Sequence, residues 1–116
     1  MNKLKKRAVA LTIAGAAAAG CMVATAPAAS AVGSSACYQD INNSLLHVDV
    51  GSGNVANLRN GPSTNYSVKG RVGNGKGFYA FCANKAFTWY YGEVKSGAND
   101  GKRGWIYYKG LRGNIN

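Results

Sequence analysis

The chain holds one histidine, His47, and four carboxylates, Asp40, Asp49, Glu93 and Asp100. His47 and Asp49 are two positions apart, which places both side chains on one face of an extended segment. A histidine oriented by a carboxylate is the base of a nucleophilic triad, but it needs a nucleophile, and no G-x-S-x-G elbow occurs. Glu93 and Asp100 could form the carboxylate pair of a glycosidase, which requires the two to face one another across a cleft. A chain this short offers little room for a deep one. Gly73, Gly75 and Gly77 lack the following helix and the Lys-Ser/Thr ending of a phosphate loop, and read as a hairpin connection. Cys37, Cys82 and His47 do not make four zinc ligands. The sequence therefore assigns no catalytic residue, no metal and no cofactor, and the non-enzymatic reading is preferred.

Binding chemistry is better represented. All seven Tyr, three Phe and two Trp fall after residue 31. Tyr66, Trp89, Tyr90, Tyr91, Tyr107 and Tyr108 are more rings than a small core can hide. Consecutive pairs such as Tyr90-Tyr91 and Tyr107-Tyr108 must turn one ring outward on any strand. Exposed Tyr and Trp give rigid contact area with a polar tip, although they can also serve simply as cover for a sheet edge. Beyond residue 31 there are ten Lys and Arg against four acids, a balance that suits solubility and also adsorption to polyanions.

The elements that carry these residues follow from the order of the chain. Residues 1–31 read as a signal peptide: Lys3, Lys5, Lys6 and Arg7, then the uncharged run Ala8 to Ala19, then Pro27 and the small-x-small site Ala29-Ser30-Ala31. A membrane anchor is the alternative, but the run is rich in Ala and Pro27 interrupts it. Ala18-Ala19-Gly20-Cys21 also approaches a lipidation site, without the usual Leu three before the Cys. Export leaves Cys37 and Cys82, and an even count in a small exported domain favours a disulfide over two buried thiols. Residues 32–47 then form an N-terminal segment tied down by that bridge, and residues 48–116 the domain proper. Within it, short segments rich in Val and aromatics are separated by Gly and Asn, with no sustained 3.6-residue period. The pattern predicts an all-β fold of five to six short antiparallel strands closed into a small barrel.

The residues also resemble a known family. Asn57-Leu58-Arg59-Asn60-Gly61-Pro62-Ser63-Thr64-Asn65-Tyr66 is similar to the N-L/V-R-S-G-P-S-T-x-Y motif of bacterial SH3-like domains, with Asn60 in place of the commoner Ser. Val68 to Val72, Trp89-Tyr90-Tyr91 with Val94, and Gly104-Trp105-Ile106 with Gly110-Leu111 resemble that family's later blocks, in the same order. The resemblance implies an SH3-like β-barrel. It also implies a secreted module that docks on cell-wall peptidoglycan or its peptide through an aromatic groove. Tyr66, Trp89, Tyr91 and Tyr107 are the expected ring contacts, with Asn57 and Arg59 as polar partners. A secreted protein–protein factor using the same surface is the alternative. A nucleic-acid ligand is disfavoured by export, and the exported domain is expected to be a monomer that holds no membrane contact.

Overall fold

The structure, a computed structural model, describes residues 29–115. Nearly all of the expected leader, including the candidate lipidation site at Cys21, lies outside the described residues. A 3₁₀ turn at Gly33–Ala36 precedes strands β1 (Gln39–Val48), β2 (Val55–Arg59), β3 (Val68–Gly73), β4 (Gly77–Ala83), β5 (Trp89–Val94) and β6 (Arg103–Tyr107). A second 3₁₀ turn, Tyr108–Gly110, leads into the two-residue strand β7 (Leu111–Arg112). The strands form one antiparallel sheet, in the order β3-β2-β6-β5-β4-β1-β7, curled into a half-barrel. Among the described residues no α-helix occurs, and no helix is long and apolar enough to cross a membrane.

The all-β architecture is as expected, but the count of five to six strands is corrected to seven. Two pieces were not anticipated. The first is β7, too short to carry any alternation. The second is the front half of β1, whose Gln39-Asp40-Ile41-Asn42-Asn43-Ser44 is poor in β-formers. Its pairing with β4 breaks between Asp40 and Ser44, where Asn42 and Asn43 take φ of 57° and 54°. Asparagine tolerates that region better than most residues. The Asp40 carboxylate accepts a hydrogen bond from the Asn42 amide at 2.8 Å, and the buried Ser44 hydroxyl donates to the Ile41 carbonyl at 2.8 Å. Positions 39–47, assigned to a tied-down segment by sequence, are thus part of the sheet.

Alternation places the core. Ala56 and Leu58 of β2, Phe78 and Ala80 of β4, and Val94 of β5 point into the half-barrel and are buried. Leu58 is fully buried while Arg59 is only half-buried, as opposite faces of one strand require. Trp105 and Ile106 are both buried, on different cores. Ile106 joins the main interior, and Trp105 joins Cys82 and Trp89 in a second cluster on the outer face. A single-layer sheet would leave that face wet. Here the N-terminal segment crosses it as a strap: the Trp105 indole N–H donates to the Gly33 carbonyl at 3.1 Å, and Ala36 packs against the cluster. The strap is fixed by the Cys37–Cys82 disulfide, whose Cα atoms are 5.6 Å apart. The neighbouring Tyr38 amide donates to Ala83 at 2.9 Å.

The β3 edge of the sheet is guarded. On β3, Lys69 and Arg71 are exposed, and the Asn99 amide from the β5–β6 loop donates to the Arg71 carbonyl at 2.6 Å. Charged edges and covered carbonyls both discourage pairing with a second chain.

Candidate functional site

The loop between β2 and β3, Asn60 to Ser67, is held in several places. Asn60 donates its amide to the Ser67 carbonyl at 3.0 Å and its side-chain amide to the Ser67 hydroxyl at 2.7 Å. The Ser63 hydroxyl accepts from the Asn65 amide at 3.1 Å. Arg59 reaches across the loop and donates to the Tyr66 carbonyl at 2.9 Å and, more weakly, to Thr64 at 3.5 Å. The Tyr66 ring lies flat on Gly61, where a Cβ would come within 2.4 Å of its carbons. Gly61 does not take a positive φ, so lack of space, not a special dihedral, demands glycine there. The strap supports the same loop from outside, where Val32 donates to the Asn60 carbonyl at 2.9 Å.

A second wall comes from the start of β5 and the end of β6. Asn84 clasps the turn between β4 and β5, accepting from the amides of Thr88 at 2.9 Å and Trp89 at 3.1 Å. Phe87 in that turn takes φ of 56°. The clasp fixes where β5 begins and sets Trp89 opposite Tyr107 in the ladder, with their rings 5.2 Å apart and inclined at 59°. Tyr108 continues the row, 5.1 Å from Tyr107 and edge-on to it. Gly104 admits β2 to β6: a Cβ there would stand 2.7 Å from the Arg59 carbonyl and 2.9 Å from Leu58.

Between these walls lies a cleft of about 620 Å³. Ala56, Ile106, Trp89 and Tyr107 supply apolar and aromatic surface, with Val50 and Gly110 beside them. Asn57, Arg59, Ser63, Thr64 and Lys109 supply the polar groups. Four of the six sequence-nominated residues, Asn57, Arg59, Trp89 and Tyr107, thus meet at one place. Trp89 is 8% exposed and Tyr107 42%, so the tyrosine offers most of the ring surface.

Tyr66 and Tyr91 are not among the lining residues. Tyr66 packs on Gly61 and holds Arg59 through its carbonyl. Tyr91 lies on the outer face, its ring 5.3 Å from Trp105 and 6.1 Å from Phe81, packed against the strap-covered cluster. Lys109, Ser63 and Thr64 were not nominated. Ser63 and Thr64 sit within the segment 57–66 quoted above, but Lys109 lies inside the 3₁₀ turn after β6, where strand alternation gives no direction.

The groups that could suggest catalysis are placed elsewhere. His47 is half-buried in β1, opposite Gly77 and Arg112. Asp49 is exposed, 3.9 Å from the Arg112 guanidinium. Glu93 accepts from Lys95 and from Arg103, each at 2.9 Å, and these bonds hold its carboxyl below the usual carboxylate range. Among the described residues no three His, Cys, Asp or Glu side chains converge as a metal site.

No protein-family profile, curated protein or solved structure matches the chain. The disulfide is compatible with an extracellular location.

Proposed function

We propose that this protein is a secreted, non-enzymatic binding module that docks on bacterial cell-wall peptidoglycan through the peptide portion of that polymer. The observation that carries the reading is the cleft, where Trp89 and Tyr107 stand opposite a pinned loop and polar groups ring an apolar floor. Small clefts of this build take extended chains by ring contacts and backbone hydrogen bonds. The motif around Asn57 to Tyr66 lends support, since it supplies four of the eleven residues that line the cleft. Asn57 and Arg59 are the polar contacts, and Tyr107 the main ring contact. Tyr66 acts by shaping the loop.

The test is a pull-down with purified wall sacculi at low and physiological salt, comparing the native protein with Tyr107→Ala. Tyr107 is an exposed side chain, so its loss should leave the melting temperature within a few degrees. Binding should fall about tenfold or more, as for an aromatic anchor worth at least ~1.4 kcal/mol. Native protein that fails to sediment with sacculi at either salt refutes the proposal. Recovery of one tightly bound protein from culture supernatant would instead favour a secreted protein–protein factor.

A further inference from the structure

We infer that the cleft recognises a free C-terminal carboxylate on a short peptide. The inference rests on the reading of this cleft as the docking site, and adds the chemistry of its ligand. The lining contains two cations, Arg59 and Lys109, and no acid. Among the described residues the ion pairs draw on Glu93 and Asp49 alone, and neither Arg59 nor Lys109 takes part. Arg59 is half-buried and, among the described residues, its guanidinium donates to the carbonyls of Tyr66 and Thr64, which orient it without neutralising it. A guanidinium has five donors in a fixed fork, so those two contacts leave donors over for a bidentate partner. Lys109, an exposed side chain, adds a second positive charge to the same wall as Tyr107.

A cleft that is positive at its polar groups and apolar on its floor is complementary to an anion borne on an uncharged chain. The volume, about 620 Å³, suits a ligand of a few residues and not a folded partner. In a peptide that short the chain end itself supplies a carboxylate, while its small side chains rest on Tyr107 and the half-buried Val50.

The experiment titrates the full-length exported protein with N-acetyl-trialanine as the free acid and as the C-terminal amide. Binding is followed by tryptophan fluorescence, because Trp89 lines the cleft, and by amide NMR shifts. The acid should bind at least tenfold more tightly than the amide. That preference should weaken in Lys109→Gln, a substitution at an exposed side chain, and in Arg59→Gln. Equal binding of acid and amide, no binding of either, or a preference that survives in both variants overturns the inference. So does an amidated peptide with a glutamate side chain that binds as tightly as the free acid, since it would move recognition away from the chain end. If sacculi still bind while acid and amide are indistinguishable, the wall reading stands and the carboxylate inference alone falls. If the acid is preferred but sacculi do not bind, the reverse holds.

Discussion

Replacing Cys37 and Cys82 together by alanine should bring the domain close to unfolding. The bridge joins residues 45 positions apart, and the entropy of closing a loop that long corresponds to about 4 kcal/mol at 25 °C. A domain of this size carries about 4–13 kcal/mol in all. The sulfur atoms themselves contribute little packing at Cys37, which is exposed, and somewhat more at Cys82, which is 5% exposed. The assay is urea unfolding followed by circular dichroism. With a slope of about 1.5 kcal/mol per molar, the midpoint should fall by roughly 2–3 M. The slope itself should rise, because an uncrosslinked denatured chain exposes more surface. Native protein reduced with excess thiol should give the same midpoint as the double variant. A fall of less than about 0.5 M would refute the reasoning, since the strap would then be held by its other contacts and the bridge would constrain little.

Two further outcomes follow from the same geometry. Gly61→Ala forces a methyl into the Tyr66 ring, 2.4 Å away, and should cost about 1–3 kcal/mol in thermal unfolding; Tyr66→Ala should abolish most of that penalty in the double variant, and additive losses would show that the two do not collide. Glu93 is held below the ordinary carboxylate range by Lys95 and Arg103, so its contribution is present above the unfolded value and is lost as pH falls through the folded one. Melting curves of native protein and Glu93→Gln should therefore differ slightly at neutral pH and converge in strong acid, and a constant difference at every pH would sink the assignment.

The parts of this fold that could be read from sequence are those where local chemistry and tertiary packing agree. Val55 to Arg59, Phe78 to Cys82 and Arg103 to Tyr107 are short runs rich in β-formers bounded by Gly and Asn, and each lies in a strand. Asn57, Arg59, Trp89 and Tyr107 could be nominated because a motif and an excess of rings marked them. Tyr66 and Tyr91 were nominated on the same grounds but do not line the cleft, and ring count could not separate them from the others. What distinguishes them is which neighbour covers each ring: Gly61 for Tyr66, and the strap-covered cluster for Tyr91. Both depend on contacts distant in sequence. Lys109 was hidden for a different reason, because a 3₁₀ turn breaks the two-residue period that gives direction to a strand side chain.

The strap links these observations. A half-barrel of short strands has one concave side to bury, and Trp105 is a large residue facing the other way. Small domains rarely bury enough apolar surface to hold such a residue without a staple. Here residues 32–38 provide the cover and the disulfide keeps it in place. The same cover bears on both walls of the cleft. Val32 fixes Asn60 at the base of the loop, and Trp105 packs in one cluster with Trp89, which in turn holds Tyr107. A binding surface that must be rigid before its ligand arrives gains from being braced on two sides, because less ordering entropy is then lost on binding. In the proposed binding role the bridge would brace the cleft as well as the fold, since the contacts that seal Trp105 are continuous with those that set the distance between loop and rings.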